Sequence, residues 1–191
     1  MINFSAFYGK TQAYVIPIYK PSVKTPENKP VKFLAVDKST ECHITPTNIA
    51  DLMVNYLNIE PCHSVLEPSF GTGRLIDALL SAGHDSGLIT GIEKNTELFN
   101  LSKNDIELIS MNFLDYEGRL FDRIIMNPPF SKGQALKHFR KAQSLLMPEG
   151  EIIALVPVTF RQGYTIQTLE AGIFESTNAV TKLISANKST P

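Results

Sequence analysis

Between Thr45 and Val158 the chain switches regularly between two spacings of apolar residues, and this alternation constrains its fold more than any other feature. "SVLEPSF", "LITGIEK", "IELISMNF", "FDRIIMNPP" and "EIIALVPV" read as short strands. Between them, "GRLIDALLSAG" (closed by Gly83), "NTELFNLS" and "GQALKHFRKAQSLLM" read as helices. Ahead of them all, "TPTNIADLMVNYL" takes Thr45 as N-cap and Pro46 as its first helical residue. Ile49, Leu52, Met53, Tyr56 and Leu57 form its apolar stripe. Strands and helices taking turns over this length imply an α/β fold, a doubly wound, mostly parallel sheet.

Both flanks depart from the pattern. Residues 1–40 hold two short strand-like runs, "QAYVIPIYK" and "VKFLAVDK", around the loop "PSVKTPENKP", and read as an arm or small hairpin. Residues 41–191 form the main domain. Its tail offers one helix, "IQTLEAGIF", and one strand, "AVTKLIS". The sheet is therefore expected to be truncated at its C-terminal strands, leaving an edge for residues 1–40 or a second subunit to cover.

Composition narrows the class. With 43% apolar and 19% charged residues, the 191-residue chain has an ordinary globular balance. A formal charge of −1 argues against bulk electrostatic adhesion to nucleic acid and leaves a local basic groove open. Cys42 and Cys62 lack metal-ligand spacing and read as reduced thiols of a cytoplasmic protein. "MINFSAFYGK" has no signal-peptide pattern, and no apolar run approaches the ~18 residues of a membrane span.

In a doubly wound sheet, ligands bind beyond the carboxyl ends of the strands. The first strand ends in "EPSFGTG", where Gly71 and Gly73 allow a tight turn and close backbone approach; taken alone, this is also a plain strand-to-helix turn. Glu93 ends the second strand, twenty residues after Gly73, the spacing at which an acid accepts from ribose hydroxyls. Ile76 stands where a dinucleotide motif has its third glycine, which favours a nucleoside without pyrophosphate. "SMNF" ends the third strand: Phe113 could stack on a purine and Asn112 address its edge, or the two could be core and turn residues.

The fourth strand ends in Asn127, Pro128, Pro129 and Phe130. Each of the first two precedes a proline and is driven to extended geometry, and neither proline donates a hydrogen bond. The tip thus presents two acceptors, the Asn127 side-chain oxygen and the Pro128 carbonyl. They suit an NH2 group, whose nitrogen they would pull towards a pyramidal, more nucleophilic form, while Phe130 lies flat against the ring that bears it. Lys132 follows closely and is a phosphate candidate; Lys137, Arg140 and Lys141 share a helix face that reads as solvated.

"TPTNIADLM", "VLEPSFGTGRL", "GIEKN", "MNFLD" and "RIIMNPPF" resemble, in this order, the motifs of class I S-adenosylmethionine-dependent methyltransferases, above all the N6-adenine DNA methyltransferases. The resemblance runs from about Thr45 to Phe160. It implies a Rossmann-like fold and S-adenosyl-L-methionine as cofactor. Thr45 would lie beside the methionine moiety, Glu67, Gly71 and Gly73 would form the cofactor loop, and Glu93 would hold the ribose. Asn112 stands where the family usually has Asp facing the adenine amine, with Asp115 as the alternative, and Phe113 would pack beside that adenine. Asn127, which would also contact the cofactor, and Pro128 would grip the target amine, Phe130 would stack on the target base, and Pro129 completes the catalytic set. The implied substrate is adenine in DNA, with a homodimer or a specificity subunit as partner. RNA amino-methylation, methylation of a protein glutamine amide, and a non-catalytic subunit that keeps the fold are the alternatives.

Overall fold

The computed structural model describes residues 44–101, 105–172 and 179–190. The arm expected at residues 1–40 lies outside the described residues, as does Cys42.

Seven strands form one sheet: β1 (Val65–Glu67), β2 (Ile89–Glu93), β3 (Glu107–Ser110), β4 (Phe121–Met126), β5 (Leu146–Pro157), β6 (Tyr164–Thr168) and β7 (Thr181–Asn187). Their spatial order is β3-β2-β1-β4-β5-β7-β6. Strands β1 to β5 run parallel, and β7 runs antiparallel to both β5 and β6. Among the described residues, four helices accompany them: α1 (Thr47–Tyr56), α2 (Arg74–Ser81), α3 (Thr96–Leu101) and α4 (Gln134–Ser144). The expected α/β class and parallel core are thus observed.

Strand β4 shows how the pattern works. Ile124, Ile125 and Met126 are all fully buried. Ile125 joins a core with Ile49, Met53, Leu75 and Leu79 of α1 and α2, whereas Ile124 and Met126 face Phe139 and Ala142 of α4. A strand covered on both faces must be apolar at successive positions, as this one is.

The charged start of β4 is a seam. Ser64 donates to Asp122 Oδ2 from its backbone nitrogen (2.9 Å) and its hydroxyl (2.7 Å), and Asp122 N donates back to Ser64 Oγ at 3.1 Å. The hydroxyl bond is the main reason the Asp122 carboxyl sits below its ordinary pKa. Buried Arg123 donates to the Leu57 and Asn58 carbonyls, at 3.0 Å and 3.1 Å from Nε, and so satisfies the end of α1. These contacts align β4 with β1 where both begin.

Two expectations are corrected. Thr45 is not the N-cap of α1; Pro46 holds that place without a side-chain cap, and Thr45 Oγ1 accepts a hydrogen bond from Asn127. The sheet is not truncated either. The segment read as the helix "IQTLEAGIF" begins as strand β6, because Thr165, Ile166 and Thr168 are β-branched and pair antiparallel with β7. With "AVTKLIS" shifted to Thr181–Asn187 as β7, the sheet reaches seven strands.

Candidate active site

The carboxyl ends of β1, β2, β3 and β4 converge on one hollow. Its wall includes Thr45, Gly71, Glu93, Asn112, Phe113 and Asn127, six residues that the sequence singles out. The order β3-β2-β1-β4 explains the place: the chain leaves β1 towards one edge and comes back on its other side at β4, so the turns part and leave a crevice.

Glycine geometry shapes the floor. Gly71 and Gly73 have φ of 54° and 81°, the left-handed region that side chains avoid. Gly73 N donates to Phe70 O at 2.7 Å and closes the turn, and Gly73 then caps α2. Glu93 is the anchor beside it. Its Oε2 accepts from Gly71 N at 2.9 Å and its Oε1 from Asn95 N at 2.8 Å. This buried acid therefore orders two loops at once and retains lone pairs on both oxygens.

Glu67 is buried at the tip of β1 and does not line the hollow. It accepts a hydrogen bond from the Ile76 backbone, in the first turn of α2, while its Oε2 has no hydrogen-bond partner among the described residues. Burial first, then the charges of Glu93 and Asp77, raise its pKa well above the ordinary 4.5. The folded state thus holds this proton more tightly than the unfolded chain, so this group's contribution to stability falls as pH rises above about 4.5. Glu67→Gln should flatten that dependence and gain on the wild type towards neutral pH. Denaturant titrations of both proteins across pH 4 to 8 measure the difference directly.

Asn112 uses its side chain locally. Its Oδ1 accepts from Leu114 N at 3.3 Å and its Nδ2 donates to Asp115 Oδ2 at 3.0 Å, capping the single turn Phe113–Asp115. Phe113 is buried in the core and also borders the hollow.

At the tip of β4, Asn127 Nδ2 donates to Thr45 Oγ1 at 3.0 Å. With its nitrogen turned to Thr45, the amide's acceptor end is set on the other side. Pro128 is buried, and Pro129 is half-buried and borders the same hollow as Asn127. Phe130 borders a second hollow with Pro157, Phe160 and Arg161. The Asn127–Phe130 turn therefore contributes to two neighbouring recesses. Lys132 lies in the turn Ser131–Gly133 that leads into α4, and its side chain lies outside the description. On α4, Lys137 and Arg140 are exposed, as a solvated face requires.

Sequence reasoning passed over several residues. Ser69 borders the first hollow, and its buried Oγ has no hydrogen-bond partner among the described residues. His138 borders the same hollow from α4. Phe160, past the end of β5, meets Phe139 edge-on at 5.4 Å between centroids. Only "EPSFGTG" carried a local signal for one of them, Ser69.

No protein-family model matches the chain. It is 27% identical to the type II methyltransferase M.HincII of Haemophilus influenzae over 99 residues, which make up 52% of this chain and 19% of that protein. The chain thus spans about a fifth of the length of that curated relative. Among solved structures, it matches the type I restriction-modification system methyltransferase subunit from Streptococcus thermophilus (TM-score 0.62, 20% identity, 77% of this chain and 45% of that one). It also matches a dimethyladenosine transferase from Plasmodium falciparum (TM-score 0.61, 14% identity, 75% of this chain and 62% of that one). The fold is that of the class I methyltransferases. Among the described residues, no helix is long and apolar enough to cross a membrane.

Proposed function

We propose that this chain methylates the N6 amine of adenine in DNA with S-adenosyl-L-methionine as methyl donor. The observation that carries the reading is the Asn-Pro-Pro-Phe tip of β4, oriented through Thr45 and bordering two recesses. The first recess suits a nucleoside: Glu93 offers acceptors for ribose, and Phe113 an aromatic edge. The buried Ser69 hydroxyl is suited to the polar groups of an amino-acid tail. These features fit S-adenosylmethionine, which when bound supplies a methyl group on a positively charged sulfur.

The chain's own residues have little covalent work to do in a direct displacement, so positioning dominates. The Asn127 side-chain oxygen and the Pro128 carbonyl would accept the two hydrogens of the target amine and free its lone pair from the ring. Phe130 would stack on the base in the second recess, which Phe160 also borders. An adenine in a duplex would have to leave the stack to arrive there. M.HincII is by name a type II methyltransferase and the Streptococcus thermophilus protein a methyltransferase subunit of a type I restriction-modification system, which supports DNA as the substrate. That second protein is itself a subunit, so we extend the proposal to a partner, a specificity subunit or a second copy of this chain. A cytoplasmic location goes with this reading.

Labelled S-adenosylmethionine offered with duplex DNA, ribosomal RNA and cell protein tests the proposal. N6-methyladenine in DNA is the expected product. Label in RNA nucleosides or in glutamine would overturn the DNA assignment. Cofactor binding without transfer to any substrate would point to a non-catalytic subunit. Phe130→Ala should lower kcat/KM by about five- to a hundredfold, given ~1–3 kcal/mol per stacked base. Phe130→Tyr should keep most of the activity, since its ring still stacks. Steady-state kinetics on duplex DNA compare the two.

A further inference from the structure

We propose that His138 reads the purine edge of the donor nucleoside, accepting a hydrogen bond from its exocyclic amine through Nε2. This deepens the S-adenosylmethionine reading above and rests on it. His138 is a buried residue of α4 that borders the hollow shared by Glu93, Asn112 and Phe113. Its ring centroid is 5.6 Å from that of Phe113, with the planes 37° apart. The imidazole therefore stands beside the aromatic surface proposed for the purine.

The hydrogen-bond pattern determines what the ring can offer. Nδ1 lies 3.0 Å from the Gln134 carbonyl, and a carbonyl only accepts, so Nδ1 carries a proton. Burial, aided by the charge of Lys94, lowers the imidazole's pKa and favours the neutral form. In that form Nε2 is a bare acceptor, and no described residue hydrogen-bonds to it. Asn112 is oriented by its own turn, with Oδ1 accepting from Leu114 N and Nδ2 donating to Asp115, whereas His138 Nε2 has no such commitment.

A fixed neutral acceptor is selective. The amine of adenine donates hydrogens and, with its lone pair delocalised, is a poor acceptor. Hypoxanthine carries a carbonyl oxygen at that position, which would face Nε2 lone pair to lone pair. The site should therefore prefer adenine by its edge and not merely by its ring.

Calorimetry with S-adenosylhomocysteine and its hypoxanthine counterpart tests this without turnover. The wild type should bind the adenine compound at least about tenfold more tightly, the scale of one matched against one opposed hydrogen bond. His138→Leu should shrink that preference to within about twofold. His138→Gln is the second variant, should the leucine protein not fold. A glutamine amide can present nitrogen or oxygen, so it should bind both compounds with similar affinity. A full preference retained in a folded variant would overturn the role of His138 and leave the cofactor reading intact. Failure of the wild type to bind either compound would overturn both.

Discussion

Asn127→Ala is expected to abolish methyl transfer, lowering kcat by at least about a thousandfold, while S-adenosylhomocysteine affinity changes by less than about threefold. The asymmetry follows from the geometry. Asn127 borders the first hollow with its amide nitrogen committed to Thr45 Oγ1 at 3.0 Å, which leaves its oxygen as the end that would serve the target amine. Removing the amide costs the cofactor one neighbouring contact but costs the target amine half of its grip. Asn127→Asp is the informative companion: it keeps an acceptor, and the Thr45 hydroxyl can rotate to donate to it, so part of the activity should remain. Single-turnover rates on duplex DNA, with calorimetry on the same preparations, separate the two effects. Substantial turnover by the alanine variant would remove Asn127 from the reaction.

Glu93→Ala should weaken cofactor binding by about 1–3 kcal/mol, or roughly five- to a hundredfold in Kd. The structure adds a second consequence. Glu93 also holds Gly71 N and Asn95 N, so its loss leaves two loop amides without their acceptor. The variant should unfold at a lower temperature even with no cofactor present. Glu93→Gln should fall between the two, because its amide oxygen can serve one loop but its nitrogen cannot accept from the other. Calorimetry and thermal unfolding of the three proteins measure this. An unchanged Kd in a folded Glu93→Ala protein would make Glu93 an acid that shapes the loop and nothing more.

What could be read ahead of the structure was set by local chemistry. The apolar run Ile124–Met126 states its own burial, and two prolines state where the strand must stop. Gly71 and Gly73 likewise announce a turn that only their backbones can make. Strand β6 was illegible because Leu169, Glu170 and Ala171 follow it with good helix formers, and only pairing with β7 decides in favour of extension. Thr45 was misjudged for a related reason: a hydroxyl beside a proline fits a cap, and its true partner lies 82 positions away. His138 gave no signal, since its meaning depends on Phe113 from another strand end.

The two recesses have a consequence for how such a chain could change over generations. Most of what borders the first hollow lies between Ile44 and Phe113, whereas the second is built from Phe130 to Gln162. The stretch between, Glu117–Leu120, is exposed and belongs to no strand or helix. One genetic exchange there would replace the second hollow as a block and keep the first except for Asn127, Pro129 and His138. The graft would have to match the β1–β4 pairing and the core beneath it, along with Ser64 to Asp122, Leu57 and Asn58 to Arg123, Thr45 to Asn127 and Phe113 to His138. A different second hollow could then be acquired by recombination, provided the incoming segment keeps Asn127, Pro129 and His138, which complete the first hollow from beyond the seam.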